Sequence, residues 1–240
     1  MKWFKLEFVL LLVLLGVVSV STVLAAPTGP TINTVGSSRY SVANGANVTA
    51  VAGNVTELNV TANSITQTWQ GYFGNITGTI VLGNSNNQTL YNWNLSSPHG
   101  EIYATRASTV PTWISVACAT SAQITTEDTA LGVNESVDQD SVNRTFINTT
   151  AFNQFYVGSI VINSTQNCKA ANLFNSSGTY STNFQEVLLH DGTSLIYTGI
   201  ITQDSTGFDN RTHDFEMLVG ENGHNGDANP TPYYFYVELQ

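Results

Sequence analysis

From residue 47 onward the chain is built of short runs in which apolar and polar residues alternate. Glycine, asparagine and serine break these runs about every 8–12 positions, the spacing expected of short strands joined by turns. Asn47–Val51 and Val55–Thr61 set Val55, Leu58 and Val60 among polar neighbours. Thr68–Phe73 and Ile76–Leu82 follow, divided at Gly74-Asn75. After the turn cluster Gly83–Asn87, the run Leu90–Leu95 puts Tyr91, Trp93 and Leu95 on one face. Further strands are expected at Glu101–Ala107, Gln154–Ile162, Phe184–Leu189, Leu195–Thr202, Asp214–Val219 and Tyr233–Leu239. Between Thr120 and Thr150 the alternation weakens, which reads as a long exposed excursion or a short helix. The pattern predicts an all-β fold, a two-sheet β-sandwich of immunoglobulin-like or jelly-roll-like type. Uneven strand lengths and the single long excursion favour it over a closed barrel.

The first residues carry a different signal. Lys2 and Lys5 precede an apolar run over residues 8–26, with Val23 and Ala25 small enough for a signal-peptidase site. Residues 1–26 therefore read as a signal peptide or as a helical membrane anchor, since the run approaches bilayer-spanning length. Membrane contact is expected only through residues 8–26, and only if they are retained. Residues 27–65 form an extended N-terminal segment. Its Val/Thr-rich stretch can serve either as a first strand of its own domain or as a strand donated to the edge of a neighbouring copy. Residues 66–240 are assigned to the sandwich domain.

Charge narrows the partners. Without residues 1–26, five basic residues (Arg39, Arg106, Arg144, Lys169, Arg211) face sixteen acidic ones, a net charge of −11. Such a chain repels phosphate backbones, so nucleic acid is not an expected partner. Charged residues make up only 10% of the sequence, against roughly 25% in ordinary soluble domains. Asparagine, serine and threonine take their place. The acceptor pattern Asn-x-Ser/Thr occurs at Asn47, Asn54, Asn59, Asn75, Asn87, Asn94, Asn134, Asn143, Asn148, Asn163, Asn175 and Asn210. With 25 asparagines and 52 serines plus threonines, chance predicts about five such sites. The excess predicts glycosylated exposed loops in an exported chain. Two cysteines, Cys118 and Cys168, are expected to form one disulfide in an oxidising exterior.

Two blocks carry a resemblance. One is Thr66-Gln-Thr-Trp-Gln-Gly-Tyr-Phe-Gly-Asn-Ile-Thr-Gly-Thr-Ile80, leading to Tyr91-Asn-Trp93 and Gly100-Glu-Ile-Tyr-Ala104. The other is Thr212-His-Asp-Phe-Glu-Met-Leu218 with the closing run Tyr233–Leu239. Together they resemble uncharacterised secreted or cell-surface proteins of archaea, which implies an extracellular archaeal glycoprotein without assigning it an activity. The architecture is similar to that of archaeal pilus and thread subunits, glycosylated β domains joined by donated strands.

Candidate chemistry is sparse. His99, His190, His213 and His224 lack paired metal-ligand spacing. In His190-Asp191 and His213-Asp214, strand neighbours point to opposite faces and so make no catalytic dyad. Glu101, Glu186, Glu216 and Glu238 lie in strand-like runs, where solvated faces explain them better than a glycosidase pair. Asp204, Asp209 and Asp214, with Asp227 in the loop Glu221–Asp227, are weak calcium candidates. The turn-forming habit of Asp, Asn and Gly accounts for the same residues. No other cofactor is expected. Trp69, Trp93 and Trp113 suit either a sugar-stacking platform or core packing. The expected function is therefore a non-enzymatic structural surface protein, a filament or coat subunit that associates with itself or with other surface proteins. A monomeric adhesin or glycan-binding module is the alternative, and an exported hydrolase the third.

Overall fold

The fold is organised by one antiparallel sheet whose strands are apolar on both sides. A computed structural model describes residues 26–109, 111–222 and 230–240. The expected leader, apart from Ala26, and Asp227 lie outside them. In the central sheet, β14 (Tyr234–Leu239), β4 (Gly100–Thr105), β10 (Leu195–Ile200), β9 (Tyr180–His190) and β5 (Ala117–Cys118) are neighbours in that order. The strand β8 (Ala170–Phe174) also pairs with β9.

Strand alternation sends successive side chains to opposite faces, and here each face meets its own core. One face presents Ile102, Ala104, Leu188, Leu195 and Tyr197. Met217 and Val219 of β13 (Phe215–Gly220) cover it, together with the helical residues Ile124, Val142 and Phe146. The strand β13 pairs with β1 (Trp69–Gly74) from Trp69↔Gly220 to Gly74↔Phe215. The other face presents Tyr103, Val187, Leu189, Ile196 and Tyr236. Trp113, Phe152 and the hairpin β6 (Phe155–Val157)–β7 (Ile160–Ile162) cover that side. Burial on two sides leaves successive residues of β10, Leu195–Gly199, and of the second half of β9, Phe184–Leu189, buried without alternation. Smaller antiparallel pairs are β2 (Thr79–Gly83) with β3 (Thr89–Asn94), and β11 (Ser205–Thr206) with β12 (Thr212–His213).

The all-β expectation holds in its coarse form, and three details differ. The weakly patterned stretch holds the short helix that is one of its two readings, α1 (Ser121–Ala130), and the single turn α2 (Val142–Thr145), with Ile124, Leu131, Val142 and Phe146 packed into the core. A capping box starts α1, with the Thr120 hydroxyl accepting from the Gln123 N–H and the Gln123 side chain accepting from the Thr120 N–H. The expected strand Gln154–Ile162 is two strands, because Gly158, at φ 56°, turns the chain back after Val157. Asn47–Val51 and Val55–Thr61 form no strand, having no ladder partner among the described residues. Lastly, β3 ends at Asn94, where the register with β2 ends at Thr79, so Leu95 lies outside the strand that carries Tyr91 and Trp93.

The candidate assembly site

Residues 28–64 run as an arm along which every residue is exposed. Its root is fixed at both ends. Pro27 is buried, and Thr28 exchanges two backbone hydrogen bonds with Val237 at the outer edge of β14, at 2.8 and 2.9 Å. At the far end, the Thr66 hydroxyl donates to Asp140 at 2.6 Å and the Glu221 N–H donates to the Thr68 carbonyl at 2.7 Å. Between these anchors Ile32, Val35, Tyr40, Val42, Val48, Val51, Val55, Leu58 and Val60 all face water, Val60 at 83%. A short turn closed by Asn54 N–H on the Val51 carbonyl separates the arm's two strand-like runs. Arg39 and Glu57 are the only charged residues between 28 and 64. Apolar side chains left in water along so weakly charged a segment are costly unless they are later covered.

A second exposed element is the β2–β3 hairpin. Its register pairs Ile80 with Trp93 and Leu82 with Tyr91, so all four side chains share one face. All four are solvent-exposed, and the Tyr91 and Trp93 rings lie 4.9 Å apart. The opposite face carries Thr79, Val81, Asn92 and Asn94. A lone two-stranded hairpin is marginal in water.

Of the twelve glycan acceptors, Asn47, Asn54, Asn59, Asn75, Asn87, Asn94, Asn134, Asn148 and Asn210 are exposed; Asn143, Asn163 and Asn175 are half-buried. At Asn134 and Asn163 the Oδ1 accepts from the backbone and hydroxyl of the residue two further on, holding the side chain in a tight local turn. Cys118 and Cys168 are bridged, with Cα atoms 4.8 Å apart. The bridge joins the end of β5 to the start of β8, which flank the same edge of β9.

The aspartates proposed for calcium do not converge. The Asp214 carboxylate accepts from the Ile76 N–H at 2.7 Å and the Asp204 N–H at 3.0 Å. Asp209 binds Arg211 and the His213 ring. Those hydrogen bonds outweigh the desolvation that raises its pKa and hold the carboxyl down to about 2. Among the described residues, no group of three or more Asp, Glu, His or Cys side chains is placed to hold a metal.

The strand glutamates overturn the expectation of solvated faces, because all four are buried. Glu101 and Glu238 are cross-strand partners on the core face beneath the β6–β7 hairpin. Gly100 lets the two strands start this pairing closely, since a Cβ there would meet the Glu238 carbonyl. Tyr103 donates its hydroxyl to Glu238 at 3.2 Å, and the Gly158 N–H donates at 3.1 Å. Burial, then the neighbouring Glu238, push the Glu101 carboxyl up to about 9. Glu186 is fully enclosed against β13, accepting one hydrogen bond from the Leu218 N–H while Oε1 has none. Burial holds its pKa well above the usual carboxylate range. Burial also raises Glu127, against the opposing pull of Arg106 and Tyr197. Sequence reasoning named the four strand glutamates but missed their burial, because a glutamate in an alternating run is ordinarily its solvent-facing member.

A polar cleft lies beside that ion pair, lined among others by Arg106, Gln123, Glu127, His190 and Tyr197. The Arg106 guanidinium is bound to Glu127, and His190 Nδ1 receives Gly192 N–H at 2.8 Å and contacts Gln123 Nε2 at 2.9 Å. Trp69 and Trp113 belong to packing: Trp69 donates Nε1–H to the Asp140 carbonyl at 2.6 Å, and Trp113 packs at an angle against the rings of Tyr103 and Tyr236. Of the described tryptophans, Trp93 alone is solvent-exposed. No protein-family model matches the chain, and no curated protein or solved structure shows significant similarity to it.

Proposed function

We propose that this chain is a non-enzymatic structural glycoprotein of the cell surface, a subunit whose N-terminal arm is donated as a strand to another copy. The observation that carries this reading is the arm itself. It is 37 residues without strand or helix, with exposed apolar side chains, attached to a body that already has a core on both faces of its sheet. Beyond the Thr28–Val237 bridge the arm covers none of its own domain's core, whereas strand addition to a second copy pairs its main chain and covers its side chains. The disulfide supports an oxidising exterior, and the twelve exposed or half-exposed acceptors support glycosylation there. In this reading β1–β13 is the second sheet of a two-layer sandwich, and residues 1–26 deliver the chain across the membrane. An archaeal origin rests on the resemblance of its two sequence blocks alone.

The exposed Tyr91–Trp93 pair favours a second reading, a monomeric glycan-binding module. One preparation separates the two. Purified from native cells, the chain sediments as polymers with an intact mass above that of the polypeptide, while a variant lacking residues 27–62 sediments as a monomer. A bare, monomeric full chain at high concentration would sink the first reading. Saturable quenching of Trp93 fluorescence by an oligosaccharide, without assembly, would establish the second.

A further inference from the structure

Resting on the strand-donation reading, the geometry points to the acceptor: the run Val55–Ala62 of one copy adds to the β2–β3 hairpin of a second copy. Four features of the two segments match. Among the described residues neither has a further ladder partner, the arm run on either side and the hairpin along its two outer edges. Each also has one apolar face. On the arm, Leu58, Val60 and Ala62 fall on one side by strand alternation, with Val55, Glu57, Asn59 and Thr61 on the other. On the hairpin, Ile80, Leu82, Tyr91 and Trp93 share a side, with Asn94 opposite.

The glycan acceptors respect that division. Asn59 lies on the arm face opposite Leu58 and Val60, and Asn94 lies on the hairpin face opposite Trp93. Adding the arm strand with its apolar side in line with Trp93 brings both acceptors to one outer face and leaves the other face free of them. The reversed placement would set a sugar among the aromatic residues. Charge agrees as well. The hairpin, residues 79–94, has no charged residue, and the arm run has only Glu57. Two copies that repel each other overall therefore meet where neither carries much charge.

Chain length favours a second copy over the arm's own hairpin. The arm is pinned at Thr66 and Thr68. Eight residues from Leu58 to the Thr66 anchor span at most about 28 Å, and six from Val60 about 20 Å. From that anchor the chain first runs the length of β1, roughly 17 Å, before it turns into the hairpin. Only about 10 Å is left for Leu58, and less for Val60, along β2 or β3 of the same molecule.

The test uses two variants of the full chain. Leu58→Lys/Val60→Lys disables the arm, and Leu82→Lys/Trp93→Lys disables the hairpin; all four side chains are exposed, so neither change touches the core. Sedimentation of wild type is expected to show polymers, and each variant alone monomers. An equimolar mixture is expected to give one-to-one dimers, the hairpin-disabled copy donating its arm to the arm-disabled copy. Loss of stability does not produce such complementation. If wild type polymerises and the hairpin variant polymerises equally well, the acceptor lies elsewhere and strand donation stands. If both variants block assembly but the mixture stays monomeric, the hairpin is not the arm's partner. If wild type is monomeric with its hairpin amides protected, the arm pairs in cis and both inferences fall.

Discussion

Thermal unfolding is expected to show a protein that is more stable near pH 4.5 than at pH 7–8. Glu101 and Glu238 face each other inside the sheet, the groups around them being Tyr103, the Gly158 N–H and the Gln240 amide. No described cation is bonded to either carboxyl. Glu186, wholly enclosed, has one hydrogen bond. Two carboxyls so placed cannot both ionise cheaply. The Glu101 pKa is raised to about 9 in the folded chain against about 4.3 when unfolded. Its stabilising effect is thus fully present below the unfolded value and is lost as pH rises through the folded one. Each such group removes about 1.4 kcal/mol per pH unit in that window, so Glu101 alone removes about 3 kcal/mol between pH 4.5 and 7. For a domain of this size that lowers the melting temperature by roughly 6–12 °C. Asp209, held down to about 2, acts in the opposite sense only in stronger acid. Glu101→Gln is expected to flatten the profile. A melting temperature that climbs from pH 4.5 to 7 would contradict the assignment of neutral carboxyls.

Removing the disulfide is expected to cost about 4 kcal/mol, the loop-closure value for about 50 residues. The bridge encloses both helices and the β6–β7 hairpin, a stretch joined to the central sheet at its two ends through β5 and β8. Freed of it, the unfolded chain gains entropy, while the folded core loses only the two sulfur atoms, of which that of Cys168 is buried. The double variant Cys118→Ala/Cys168→Ala is expected to melt roughly 8–16 °C below wild type. Equal melting temperatures would show that β5 and β8 are held by their pairing to β9 alone.

The two predictions draw on opposite kinds of sequence signal. The cysteines were legible because two of them in an otherwise cysteine-free chain leave one pairing. The glutamates were not, because what buries them is sheet order: β4 lies between β10 and β14, three segments far apart in sequence. That order brings Glu101 against Glu238 and covers both with a hairpin. Local alternation found most of the long strands, including Leu195–Ile200 and Tyr234–Leu239, since their side-chain periodicity is intrinsic. It missed Ala170–Phe174, whose two alanines give almost no contrast. The run Gln154–Ile162 looked continuous although Gly158-Ser159 is a turn pair. The Thr120/Gln123 capping box was readable, but the helix behind it lacks an apolar stripe and is oriented by Asp128, which accepts from the Val142 and Asn143 N–H groups.

The arm shows the limit of periodicity most plainly. Val55–Thr61 has the alternation of a strand, yet a strand is defined by a neighbour, and among the described residues that neighbour is absent. The hairpin at residues 79–94 has the complementary problem, an apolar face with nothing over it. Hydrogen exchange on the assembled full chain, resolved to the amides of residues 55–62, tests directly whether the arm is a donated strand. Slow exchange at alternate positions, abolished when polymers are dissociated, is the predicted result. Exchange at free-coil rates in intact polymers would contradict it.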